Sequence, residues 1–109
     1  MVRRYPYAFP KALRWEVFAR DGGCVLAKLE RDHVCRDVWG QTHVANDTDR
    51  LTLEHVKSDL RMGVRAPNDA AHLVTLCGYA NVSVPSKGQR AMFREYLAGF
   101  GPGGAEGAA

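Results

Sequence analysis

"RLTLEHV", residues 50–56, sets Leu51, Leu53 and His55 against Thr52, Glu54 and Val56. A period of two over so short a run predicts a strand buried on one side. Downstream, "HLVTLC" at residues 72–77 is a second apolar run of strand length. The intervening "DLRMGVRAPND", residues 59–69, holds Gly63 and Pro67 among basic residues and reads as a loop, so the strands form a hairpin-like pair. Glu54 and His55 then face opposite ways unless the strand ends or bulges between them.

Upstream, "PKALRWEVFAR" (residues 10–20) places Leu13 and Val17 four apart with Phe18 alongside, the spacing of one helical face, and "DGG" stops the helix. From Cys24 to Asp49 charge and turn formers dominate without a period, which predicts a long irregular segment. After the hairpin, Ser86 and Gln89 make a capping box, and Pro85 is tolerated at a helix entrance. Met92, Phe93, Tyr96, Leu97 and Phe100 then recur on one face, a stripe that belongs to the core. The closing "GPGGAEGAA" has nothing to bury, so residues 1–100 are expected as one domain and 101–109 as a disordered tail. The order of elements is that of a small α+β domain, and the chain has no internal repeat.

A chain of 109 residues buries only about two thirds of its unfolded surface, so a bound metal is a useful supplement to its core. Net charge is +3 with a pI near 8.9, a balance that suits a polyanion partner without requiring one. No apolar run approaches the ~20 residues that span a bilayer, and the basic N-terminus lacks a following apolar signal segment. A membrane partner is therefore not expected, and the protein should stay in the cytoplasm in which it is made. Three cysteines cannot all pair within one chain, which fits a reducing compartment.

Hydrolysis of a phosphodiester needs a base for water, a divalent cation against the developing charge, and cations to hold the backbone. His55 can accept a proton near neutral pH. Glu54 is a hard oxygen ligand, Asn81 offers a neutral amide oxygen, and Lys57, Arg61 and Arg65 suit phosphates. These residues resemble the HNH (His-Asn-His) endonucleases, whose ββα-metal motif is a two-strand hairpin followed by a helix. "EHV" matches the end of that family's first strand, and "HLVTLCGYAN" matches the nine-residue separation between its middle position and its last metal ligand. The resemblance covers roughly residues 14–97 and is greatest to small phage-encoded members.

Carried over, the resemblance implies a ββα-metal domain that hydrolyses DNA with little sequence reading of its own. It makes His55 the general base, and Glu54 and Asn81 the ligands of a magnesium or manganese ion. Lys57, Arg61, Arg65 and Lys87 would grip the DNA. The middle position holds His72 where the family has Asn, and Asn68 four residues earlier can fill the same role. The phage likeness also implies work alongside a large terminase in genome processing. The departures leave open a catalytically silent nucleic-acid-binding or packaging module.

Family members often carry two Cys-x-x-Cys knuckles for zinc. Here Cys24 and Cys77 stand at the first positions, but Ala27 and Ala80 occupy the second. A zinc site of Cys24, Cys35, Cys77 and one of His33 or His43 is chemically open. Simple burial of reduced thiols is the stronger expectation, because the spacings match no regular knuckle. Trp15 and Trp39 are expected to pack.

Overall fold

The two strand runs pair as expected. In the computed structural model, which describes residues 9–57 and 67–100, Leu51–His55 (β1) and Leu73–Cys77 (β2) form a two-stranded antiparallel sheet. Its register runs from Leu51 opposite Cys77 to His55 opposite Leu73, without a bulge. Alternation therefore buries Leu51 and Leu53 while Thr52 and Glu54 stay half-buried on the other face. β2 is buried along its whole length because it is covered on both faces.

Among the described residues four α-helices pack around this hairpin, a small α+β arrangement. Helix α1, Lys11–Asp21, carries Val17 and Phe18 into the core and stops at Gly22, whose φ of 69° is the left-handed conformation that glycine adopts freely. One turn, α2 (Val25–Leu29), follows directly, where the composition had predicted irregular chain. Five residues are too few to show a helical period, and Val25 and Leu26 are both buried, so packing rather than propensity makes this turn. The segment after it carries one isolated bridge, Arg36 to Thr42.

Past β2 the chain makes a short helix, α3 (Gly78–Val82), and then α4 (Lys87–Ala98). Asn81 lies in α3, a separate short helix packed on β1. The capping box of α4 is formed in both directions: Ser86 Oγ accepts from Gln89 N at 3.1 Å, and Gln89 Oε1 accepts from Ser86 N at 2.9 Å. Of the apolar stripe, Phe93 and Leu97 are buried, while Met92 and Tyr96 pack against the core from its edge. Fully burying a side chain such as Phe93 stabilises by about 1.5–3 kcal/mol.

A buried polar knot ties these layers together. Asp21, 0% exposed, accepts from Arg20 at 2.7 and 3.1 Å, from Thr75 N of β2 at 2.9 Å, and from the Tyr96 hydroxyl of α4 at 2.7 Å. Arg20 goes on to donate to the carbonyls of Ala70 (2.5 Å) and Leu73 (2.6 Å), which flank His72. Burial, followed by the Asp21 carboxylate, pushes the Tyr96 hydroxyl well above the usual tyrosine pKa. Arg61, Arg65 and the expected tail at 101–109 lie outside the described residues.

Candidate metal centre and polar hairpin face

Two groups of chemistry-bearing side chains are assembled at opposite ends of the hairpin. At the Leu51/Cys77 end, Cys24 at the entrance of α2, His33 and Cys35 in the following loop, and Cys77 at the end of β2 come together. One ligand atom from each lies within 4.8 Å of the other three. His33 Nε2 is 3.7 Å from Cys24 Sγ and 3.5 Å from Cys77 Sγ. A tetrahedral zinc with Zn–S near 2.3 Å and Zn–N near 2.0–2.1 Å has S···N edges of about 3.6 Å. The cluster thus has the donor set of a structural zinc site in a largely buried setting, and it can hold a metal ion.

Backbone N–H groups also favour thiolate here. Cys24 Sγ accepts from Cys77 N at 3.4 Å, and the peptide dipoles of Ala27 beside Cys24 and of Arg36 and Ala80 beside Cys77 favour the charged sulfurs. The Cys24 side-chain hydrogen bond draws the Cys77 thiol down to about 4, against burial and with help from Arg36, Ala80 and His33. The same hydrogen bond, joined by burial, pushes Cys24 far up. Burial and then the Cys77 charge raise Cys35. A cation in the centre of the cluster removes this conflict by neutralising the thiolates.

The expectation of merely buried thiols missed this convergence. Cys24, Cys35 and Cys77 are indeed buried and unbridged, but they face one another across the histidine. His43, the other histidine candidate, points elsewhere: its Nδ1 meets Val44 O at 2.7 Å, and only its backbone N–H reaches the cluster loop, at Cys35 O (3.0 Å). The close spacing of His33 and Cys35, with only Val34 between them, was the available sequence signal.

At the other end lies the Glu54–His55 pair. With no bulge in β1, their side chains leave opposite faces of the strand. Asn81 is 5% exposed and belongs to the Thr52/Glu54 face: its Nδ2 donates to Thr52 Oγ1 and to Leu53 O, both at 3.0 Å. Thr52 passes its own hydrogen to Leu76 O at 2.9 Å. A carbonyl can only accept, so Leu53 O fixes the amide orientation and leaves Asn81 Oδ1 as the atom on offer to an ion. His55 Nε2 meets Asn68 Oδ1 at 2.5 Å, and Phe9 lies against the imidazole with ring centroids 5.3 Å apart. An amide oxygen only accepts, so Nε2 is the donor of this bond and Nδ1 is the ring nitrogen left over.

The two candidates for the middle position take different partners. Asn68 bonds the His55 ring, whereas His72 Nδ1 bonds Asp69 Oδ1 at 2.6 Å inside the turn Ala70–His72. Of the two, Asn68 is the one whose side chain bonds the His55 ring. The main chain of His72 continues the ladder, its carbonyl accepting from Val56 N at 2.8 Å. Lys57 directly follows β1 by two residues, while Lys87 is exposed in the first turn of α4, where Gln89 donates to Glu30 at 3.1 Å in the loop beside the Cys/His cluster. Trp15 packs edge-on against Phe18 while staying half exposed, but Trp39 does not pack as expected and is 85% exposed.

No helix among the described residues is long and apolar enough to cross a membrane. Comparison with protein-family models, curated proteins and solved structures finds no match to this chain.

Proposed function

We propose that this chain is a metal-dependent endonuclease of the HNH kind that hydrolyses DNA phosphodiesters and is stapled by a structural zinc at Cys24, His33, Cys35 and Cys77. The observation that carries the reading is the use of the Asn81 amide. Both its hydrogens are spent on β1, which leaves a fixed oxygen on the strand face that also bears Glu54. Two oxygen donors of this type suit magnesium or manganese. A divalent ion bound there supplies positive charge against the phosphate and the leaving oxygen.

The chain's own residues supply the rest. His55, its Nε2–H directed to Asn68, presents Nδ1 to take a proton from the attacking water, with Phe9 restricting the ring. Arg20 holds the carbonyls on either side of His72, so the loop end keeps its place while DNA binds. Lys57 and Lys87, with Arg61 and Arg65, are the phosphate contacts in this reading, and such contacts position DNA without reading bases. A large terminase is the partner that the phage likeness points to.

Plasmid nicking with added magnesium or manganese tests the proposal. His55→Ala should lower the rate by roughly 10²–10⁴-fold, the contribution of a positioned base, while zinc content and DNA affinity stay as in the parent. Glu54→Ala and Asn81→Ala should raise the metal concentration required. Full activity in His55→Ala would end the assignment. One observation favours a second reading, a nucleic-acid-binding module without catalysis: Glu54 and His55 leave opposite faces of β1. Parent protein that binds DNA but never nicks it, at any magnesium or manganese concentration, would decide for that module.

A further inference from the structure

Trp39 is the most exposed large apolar side chain among the described residues, and its turn is built to keep it so. Asp37 Oδ1 accepts from Trp39 N at 2.9 Å and from Gln41 N at 3.0 Å, and Asp37 O accepts from Gly40 N at 3.0 Å. Gly40 adopts a φ of 89°, which a residue with a Cβ would resist. Arg36 straps the turn by donating to Gly40 O at 3.1 Å, and Arg50 reaches Asp37 Oδ2 at 3.5 Å. Every one of these bonds uses backbone or a neighbour's side chain. The indole itself contributes nothing to the turn, so its exposure is not a by-product of holding the loop together.

Beside the ring runs a groove of about 450 Å³, within the range of small-ligand sites. Trp39 and Val38 give it an apolar wall; Gln41, Asp49, Arg50 and Thr52 give it hydrogen-bonding edges. Its ionisable groups are two carboxylates, Asp37 and Asp49, against one guanidinium, Arg50. That balance offers no net positive charge to a phosphate inside the groove and suits a neutral, flat group with polar rims. The groove is also continuous with the polar hairpin face, because Thr52 lines it and receives the Asn81 amide at 3.0 Å.

We infer that this groove binds a nucleobase of unpaired DNA, stacked on Trp39 with its polar edge toward Gln41 and Asp49. An apolar protein side chain would leave those polar edges without partners, whereas a base meets both the flat wall and the rim. The inference rests on the nuclease reading for its location and deepens it: the substrate next to the cut is unstacked or single-stranded rather than intact duplex. The loop that carries Trp39 starts at Cys35, so the metal centre also holds the stacking residue in place.

The test is fluorescence titration of full-length protein carrying Trp15→Phe, so that emission reports Trp39 alone, with a short oligothymidylate and with a hairpin duplex, in buffer without added magnesium or manganese. Oligothymidylate should quench the emission and bind more tightly than the duplex. Trp39→Ala should weaken that binding between about 5- and 150-fold, the range of one base–aromatic stack, and Trp39→Phe should recover most of it. Unchanged emission with equal affinity in Trp39→Ala overturns the inference, and so does a Trp39→Ala protein whose sedimentation shifts from dimer to monomer, since the ring would then be a contact between copies. The two proposals fail separately. Nicking without any dependence on Trp39 removes the base site alone, and Trp39-dependent binding without nicking removes the nuclease alone.

Discussion

Replacing Asp21 with Asn deletes one charge from the knot that joins α1, β2 and α4 and changes almost no volume. Asp21 receives four hydrogen bonds and is fully buried, and the Arg20 side chain it neutralises is 2% exposed. An amide has one accepting oxygen and one donating nitrogen, so at least one of the surrounding donors must face another donor. The guanidinium is then left without its counter-charge, a change that costs about 3–5 kcal/mol. Against roughly 5–16 kcal/mol of total stability for a chain of this length, that is a fifth to most of it. At about 4–8 °C per kcal/mol, the melting temperature should fall by at least ~12 °C. Urea unfolding followed by far-ultraviolet circular dichroism gives the free energy directly, and the slope m should not change. Removing both charges in Arg20→Met/Asp21→Leu should cost less than Asp21→Asn alone, because no orphaned ion remains. A loss below 1 kcal/mol for Asp21→Asn, or a double variant worse than the single one, would refute the reasoning.

The metal centre predicts a contrast between two histidines. Purified protein should contain one equivalent of zinc that His33→Ala loses and His43→Ala keeps, as measured by elemental analysis, and chelation should lower the thermal midpoint of the parent. Equal loss in both variants would contradict the cluster geometry. The turn that carries Trp39 predicts a pH effect. Burial acts to raise the Asp37 carboxyl, but the N–H groups of Gln41 and Trp39 and the Arg50 charge outweigh it and hold the pKa below the usual value. A depressed folded pKa means that its contribution is present above the unfolded value near ~3.9 and is lost as pH falls through the folded one. Trp39 emission in the Trp15→Phe background should therefore change below about pH 4, ahead of global unfolding measured by circular dichroism; coincident transitions would count against a local role for Asp37.

How much was legible in the sequence depended on how local the cause was. Alternation in residues 51–55, the glycine that stops α1, and the Ser86/Gln89 box of α4 are each written within a few consecutive residues, and each appears in the fold. The one-turn helices α2 and α3 left no readable period, since they exist only because their buried sides have something to pack against.

What the chain alone determined was thus the order of elements and the kinds of chemistry on offer: thiols, imidazoles, a Glu–His pair, an amide nine residues past the second strand's start. Tertiary structure decided which of these meet. It chose His33 over His43 for the thiol cluster, gave Asn68 rather than His72 the bond to His55, anchored Asn81 on β1, and left Trp39 in solvent. The physical reason is distance along the chain. Cys24 and Cys77 stand 53 residues apart and Thr52 and Asn81 stand 29 apart, and only burial of the hairpin between the helices brings such residues within hydrogen-bonding or metal-binding range.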